Sequence, residues 1–216
     1  MGGRINRILL TKKFSFLAIS AFMIFSLVSI TSFQAAQVSA SPDPATYYVK
    51  TPGFGSMSGN SWENAMGTIE NAISQALVGD NIIVGDGTYA ENLNINKENL
   101  TIRSENGADV TIIDAGGVNV GVMIVASGVT FGGFTVENDN HGIVLNSNNN
   151  ALENNRVENS KRNGILLDHS NNNIIDNCIA ENNNYGITLN SSDNNRISNN
   201  IMNIITHART TATAST

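Results

Sequence analysis

Asp168 and His169 stand side by side and form the only adjacent acid–imidazole pair on a repeated face of this sequence. A carboxylate beside an imidazole is material for proton transfer: the acid orients the ring, and the ring takes or gives a proton near neutral pH. Catalytic groups come as constellations, and the neighbours of this pair are Ser and Asn rather than further acids. The plainer reading is a solvated turn. His141, His169, His207 and the methionines form no spaced cluster suited to a metal ion. Cys178 is the single cysteine, which excludes a disulfide framework, a CxxC redox motif and the usual structural zinc sites. It stands next to Ile179, read as inward, so its thiol is expected to face outward without a role. No EF-hand loop and no GGxGxD nonapeptide occur, so no cofactor is expected and calcium has no support. Arg103, Lys161, Arg162 and Arg196 are scattered and read as solvated surface. Asn99-Leu100-Thr101 and Asn190-Ser191-Ser192 are glycosylation sequons, of consequence only in a host that glycosylates exported proteins. Trp62 is the only tryptophan and is expected to pack near a cap rather than hold a ligand. Rows of Asn, Ser and Asp are the better candidates for contacting a polar ligand.

The elements that position these residues begin after an address. Arg4, Arg7, Lys12 and Lys13 form a basic stretch, and the run from Phe14 to Ile30 carries no charge. Val38 and Ala40 are small residues at the −3 and −1 positions of a signal-peptidase site, which predicts cleavage after Ala40. The competing reading is an uncleaved membrane anchor, the only route by which a membrane enters. Either way the body of the protein is expected outside the cytoplasm. The net charge of −6 argues against a nucleic-acid partner.

Residues 41–66, with Pro42, Pro44 and Pro52, read as a leader loop with an opening strand around Tyr47-Tyr48-Val49. Thr68 then looks like an N-cap with Glu70 in the first turn. Ile69, Ala72, Ile73, Ala76 and Leu77 make one apolar stripe, and Gly79 stands at the expected C′ position. Such a helix can cover the open end of a stack of strands. Short apolar runs separated by Gly and Asn follow. From residue 142 they become strict: Gly142-Ile143-Val144-Leu145, Gly164-Ile165-Leu166-Leu167 and Gly186-Ile187-Thr188-Leu189 are spaced 22 residues apart. Each unit carries a second apolar pair around an asparagine: Leu152 and Val157 around Asn155, Ile174 and Ile179 around Asn177, Ile197 and Met202 around Asn200. The third unit is one residue longer, which places a bulge at Ser191 to Asn194. A strand-and-turn period of this length means a solenoid, each coil lying on the last at the strand spacing of about 4.8 Å. The 34 asparagines suit its bends, because Asn tolerates left-handed backbone angles and stacked amides bond along a column. Stacking places Asn146, Asp168 and Asn190 in one column, and Ser147, His169 and Ser191 in the next. Arg156 is expected over Cys178 and then Ile201.

The segments Thr68-Ile69-Glu70-Asn71-Ala72-Ile73, Gly79-Asp80-Asn81-Ile82-Ile83-Val84, Asp86-Gly87-Thr88-Tyr89-Ala90-Glu91-Asn92 and Asn172-Asn173-Ile174 with Asn177 and Ile179 resemble the NosD-type parallel β-helix repeat family, of the carbohydrate-binding and sugar-hydrolase group. The resemblance runs from Tyr47 to about Ile201. It implies an all-β, right-handed, single-stranded parallel β-helix of the pectin-lyase type with an N-terminal capping helix. The expected organisation is a signal peptide over 1–40, the leader over 41–66, the β-helix over 67–205 with three full-period coils, and a disordered Thr/Ala/Ser tail over 206–216. Three functions follow from the resemblance. The first is a non-catalytic exported or cell-surface scaffold that binds carbohydrate, a cell-envelope component or another partner. The second is a polysaccharide lyase or epimerase, for which an Asp-His pair has precedent in the group. The third is an accessory protein for maturation of a copper enzyme.

Overall fold

The computed structural model describes residues 43–117, 119–202 and, for the backbone, 205–208; the predicted signal peptide over 1–40, with its cleavage site after Ala40, and the tail from residue 209 lie outside these. Among the described residues, nineteen strands, all paired in parallel, wind into three stacked sheets. Sheet A holds β1 (Thr46–Val49), β2 (Asn81–Val84), β5 (Thr101–Ser104), β8 (Thr130–Gly132), β11 (Ala151–Glu153), β14 (Ile174–Asp176) and β17 (Arg196–Ser198). Sheet B holds β3 (Gly87–Tyr89), β6 (Thr111–Asp114), β9 (Thr135–Glu137), β12 (Arg156–Glu158), β15 (Ile179–Glu181) and β18 (Ile201–Met202). Sheet C holds β4 (Leu93–Ile95), β7 (Val120–Ile124), β10 (His141–Leu145), β13 (Asn163–Asp168), β16 (Tyr185–Asn190) and β19 (Ile205–Ala208). Each coil contributes one strand to each sheet, so the chain forms a parallel β-helix.

The predicted vertical contacts are present. Ile143 pairs with Ile165 and Ile165 with Ile187, and all three are fully buried. Each such side chain removed from water stabilises by roughly 1.5–3 kcal/mol. Sheet A adds the inward column Ile82, Ile102, Phe131, Leu152, Ile175 and Ile197. Space requires the glycines that open the units at Gly142 and Gly164. A Cβ on Gly142 would come within 2.1 Å of Val157 Cγ1 and 2.6 Å of the Gly164 carbonyl oxygen, and Gly121 and Gly164 are crowded in the same way.

The asparagines divide into two kinds, which explains their doubling. The first of each pair turns the corner with positive φ: Asn149, Asn172 and Asn194; Asn154, Asn177 and Asn199; Asn138, Asn159 and Asn182. The second points inward and bonds to the preceding coil. Asn173 Oδ1 accepts from Asn150 N at 2.8 Å, and its Nδ2 donates to the Ser147 carbonyl. Asn195, Asn155, Asn200 and Asn183 repeat the arrangement. Buried backbone donors at the corners are thereby satisfied.

The register corrects several expectations. The inward partners of Leu152 and Val157 are Ile175 and Ala180, so Ile174 and Ile179 are only partly buried. The reason is an extra residue one coil earlier than expected. His169 bulges out with φ 50°, as does Ser191 with φ 47°, so Ser147 is followed in the interior by Ser170 and Ser192. Asn177 accordingly belongs to the outer corner column, and Cys178 takes the inward place between Asn155 and Asn200. The thiol is buried rather than outward. Arg156 pairs with Ile179, not Cys178.

The helix α1 (Ile69–Gln75) stacks on the first strand of sheet C and packs Ile69, Ala72 and Ile73 into the core. Thr68 caps it through Asn71 N, and the Glu91 carboxylate accepts from Ile69 N and Glu70 N at 2.9 Å each. Lys97 Nζ closes the other end on the Ser74 and Ala76 carbonyls. The helix stops short of Gly79, with Ala76 as C-cap, and Leu77 lies beyond it at 64% exposure instead of completing the stripe. Two further boundaries shift. More coils are present than the three regular ones, because residues 81–140 form coils of uneven length. Strand β19 also carries the solenoid past residue 205 to Ala208.

Candidate functional site

The Asp168–His169 pair exists as contact. His169 Nδ1 lies 2.9 Å from Asp168 Oδ1, and the same oxygen accepts from Asn190 Nδ2 at 2.6 Å. Asp168 and Asn190 are register partners, as the column predicted. The imidazole is 73% exposed on the bulge, and the third group in contact is an amide. The pair can orient a ring and pass a proton to solvent. Among the described residues no nucleophile or second acid–base group contacts it. Of the sequon asparagines, Asn99 is exposed with φ 58°, and Asn190 is engaged by Asp168.

A column of acids went unread in the sequence. Asp114, Glu137, Glu158 and Glu181 are successive register partners on the outer face of sheet B. Burial, with the charges of Asp114 and Glu158 adding, pushes the Glu137 carboxyl above its usual range. The signal was the recurring Glu-Asn of Glu137-Asn138, Glu158-Asn159 and Glu181-Asn182. No three His, Cys, Asp or Glu side chains among the described residues gather closely enough to hold a metal ion. His141 is half-buried against Asn163, with burial and Arg162 lowering its pKa, and burial pushes the Cys178 thiol up to about 11.

A well-lined concavity lies elsewhere, at the corner between sheets A and B in the first coils. It is a cleft of about 540 Å³. Its floor is built by coil stacking: Lys50, Gly85 and Glu105 follow the paired residues Val49, Val84 and Ser104, and Gly85 N and Glu105 N continue the ladder. Its wall is the loop between β1 and α1, which brings Phe54, Trp62 and Glu63; Asp86 and Asn106 close the far side. The wall is held rigidly. Phe54 N bonds to the Ala65 carbonyl, Met66 N to the Tyr48 carbonyl, and Asn64 Oδ1 accepts from Ser56 N. The Trp62 ring leans on Tyr48 with centroids 4.8 Å apart and lies over Gly85, where a Cβ would meet it at 3.1 Å. Tyr89 Oη donates to the Gly85 carbonyl and fixes the floor from beneath. Lys50 Nζ sits 5.6 Å over the Phe54 ring, and Asn106 Nδ2 donates to Asp86 Oδ1. Two aromatic faces beside hydroxyl-seeking acids, an amide and an ammonium can hold a sugar: rings pack on its C–H face and polar groups bond its hydroxyls. Trp62 thus lines a cleft as well as packing near the cap.

Comparison with known proteins agrees with the architecture. A family model described as "Periplasmic copper-binding protein (NosD)" matches residues 55–208. Among solved structures, pectate lyase Pel9A superposes with a TM-score of 0.62 at 18% identity, over 72% of this chain and 47% of that one. Pectin methylesterase PemA from Erwinia chrysanthemi follows at 0.53 and 14%, over 73% and 55%. The pectin methylesterase from Aspergillus niger gives 0.52 and 15%, over 80% and 62%. This chain spans about half the length of the first of these, and the likeness is one of fold. No curated protein sequence matches it. The described residues do not fit the copper of the family description: the two described histidines and the buried thiol are dispersed, and the acid column supplies hard oxygen ligands.

Proposed function

The chain belongs to the NosD family, and on that premise we propose that it is an extracytoplasmic β-helix module that binds carbohydrate without transforming it. The observation that carries this reading is the cleft of Lys50, Trp62, Gly85 and Glu105: a rigid aromatic wall over a glycine floor, with polar groups at the rim. The stacked coils hold these side chains at strand ends and on a braced loop, so the site needs little ordering when a sugar enters. The family description supports a location outside the cytoplasm, and the charge-free run ahead of Ala40 supports export. A glycan array of the full chain, read beside an assay for unsaturated sugar products, tests the reading. Binding that is lost in Trp62→Ala, with no product formed, is the expected result.

A second reading, a polysaccharide-active enzyme, has one observation in its favour, the Asp168–His169 contact. Product formation abolished by His169→Ala would establish that reading in place of the first. A copper accessory role gains no support from the donors that the described residues bring together.

A further inference from the structure

We infer that the cleft selects an amino-sugar glycan, one carrying ammonium groups, over uronate polymers; the inference rests on the carbohydrate-binding reading above. Three carboxylates, Glu63, Asp86 and Glu105, line the cleft against one ammonium, Lys50. None of the three forms an ion pair among the described residues. Lys50 Nζ lies over the Phe54 face on the wall and forms no ion pair with them among the described residues. Glu63 is held below the usual carboxylate range by its own backbone N–H and by Ser61, so it stays charged in mildly acidic solution. The cleft therefore presents two more negative charges than positive ones, in a chain whose net charge is −6. A uronate brings a carboxylate on every ring and meets like charge, which is how a site rejects a competitor. A glucosamine-type ring brings the same C–H face to Trp62 and an ammonium to the acids. Lys97 is engaged with the helix end and Arg156 with Asp109, so neither is free to reverse the sign.

The single tryptophan makes the test direct, because emission of the full chain reports the cleft alone. Titration in mildly acidic buffer uses a glucosamine hexamer, its N-acetylated counterpart, an oligogalacturonate and hexalysine. The expected result is tightest binding of the glucosamine hexamer, weakened by salt. Glu105→Gln and Glu63→Gln should each weaken it about threefold, and Lys50→Gln should tighten it. Oligogalacturonate binding as tightly as the glucosamine hexamer, or equal affinity for the N-acetylated hexamer, would overturn the charge inference and leave the carbohydrate reading standing. Hexalysine binding as tightly would assign the attraction to charge without a sugar and also overturn it. No change in Trp62 emission with any sugar would sink both.

Discussion

Asn200 Oδ1 accepts the backbone N–H of Cys178 at 2.7 Å, while toward the coil before it Cys178 offers the Asn155 N–H only a sulfur, a weak acceptor. Its sulfur lies 3.6 Å from the Leu152 carbonyl, in the place where Asn155 and Asn200 put an amide nitrogen at 2.9 and 2.8 Å. Cys178→Asn should complete the column, with Oδ1 facing Asn155 N and Nδ2 facing Leu152 O. The expected gain is about 1 kcal/mol, because two weak sulfur contacts are exchanged for two amide hydrogen bonds. Urea unfolding should show a higher midpoint at unchanged slope. Asn200→Ala should lower it.

Asp139 interrupts the third corner in the same way, with a different penalty. It is fully buried, and neither carboxylate oxygen makes a well-formed hydrogen bond among the described residues, although the Ser160 hydroxyl faces it. Burial pushes its carboxyl up to about 6, Ser160 offsets part of the rise and the charge of Glu137 adds to it. A folded-state pKa above the unfolded one means that the folded chain holds the proton more tightly. The contribution is therefore whole below about pH 4 and is lost as pH rises through about 6. The loss is on the order of 2–3 kcal/mol. Asp139→Asn should raise stability at neutral pH and flatten its pH dependence between these limits. A variant with the slope of the parent would refute the assignment.

The acid column on sheet B predicts a salt-dependent effect. Glu137 faces Asp114 on one side and Glu158 on the other. Glu137→Gln should stabilise by about 0.2–1 kcal/mol in dilute buffer, and the difference should shrink at high ionic strength. Thermal melts of both proteins across a salt series would measure it.

Gly142→Ala tests the close approach of the coils. The added methyl meets Val157 and the Gly164 carbonyl inside contact distance, and backbone on one side cannot yield. A loss of about 3 kcal/mol is expected, against about 1–2 at Gly79, where nothing lies within 4 Å and alanine is penalised only through its backbone angle.

The stack of Ile143, Ile165 and Ile187 was legible because glycine and aliphatic residues recur at one spacing. The register of the second corner was not. Ile174 and Ile175 are both apolar, so hydrophobicity alone does not say which faces inward, and His169 carries no mark of being the extra residue. A left-handed residue at a corner also breaks strand alternation. That is why Cys178, beside an apolar Ile179, was read as outward although it is buried. Asp168 and Asn190 were placed correctly because they lie before the bulge. The cleft could not be read at all, since Lys50, Trp62, Gly85 and Glu105 meet only after coils of unequal length have been aligned.

The inward amides give the molecule an arrow. Asn150, Asn155, Asn173, Asn183, Asn195 and Asn200 all reach back, each accepting from a backbone donor of the turn laid down before it. A newly wound turn thus leaves its own donors unmet until its successor arrives and fastens them. Winding from the N-terminal side keeps a single unfinished rim at the growing front, which matches the order in which a chain leaves the ribosome or threads through an export channel.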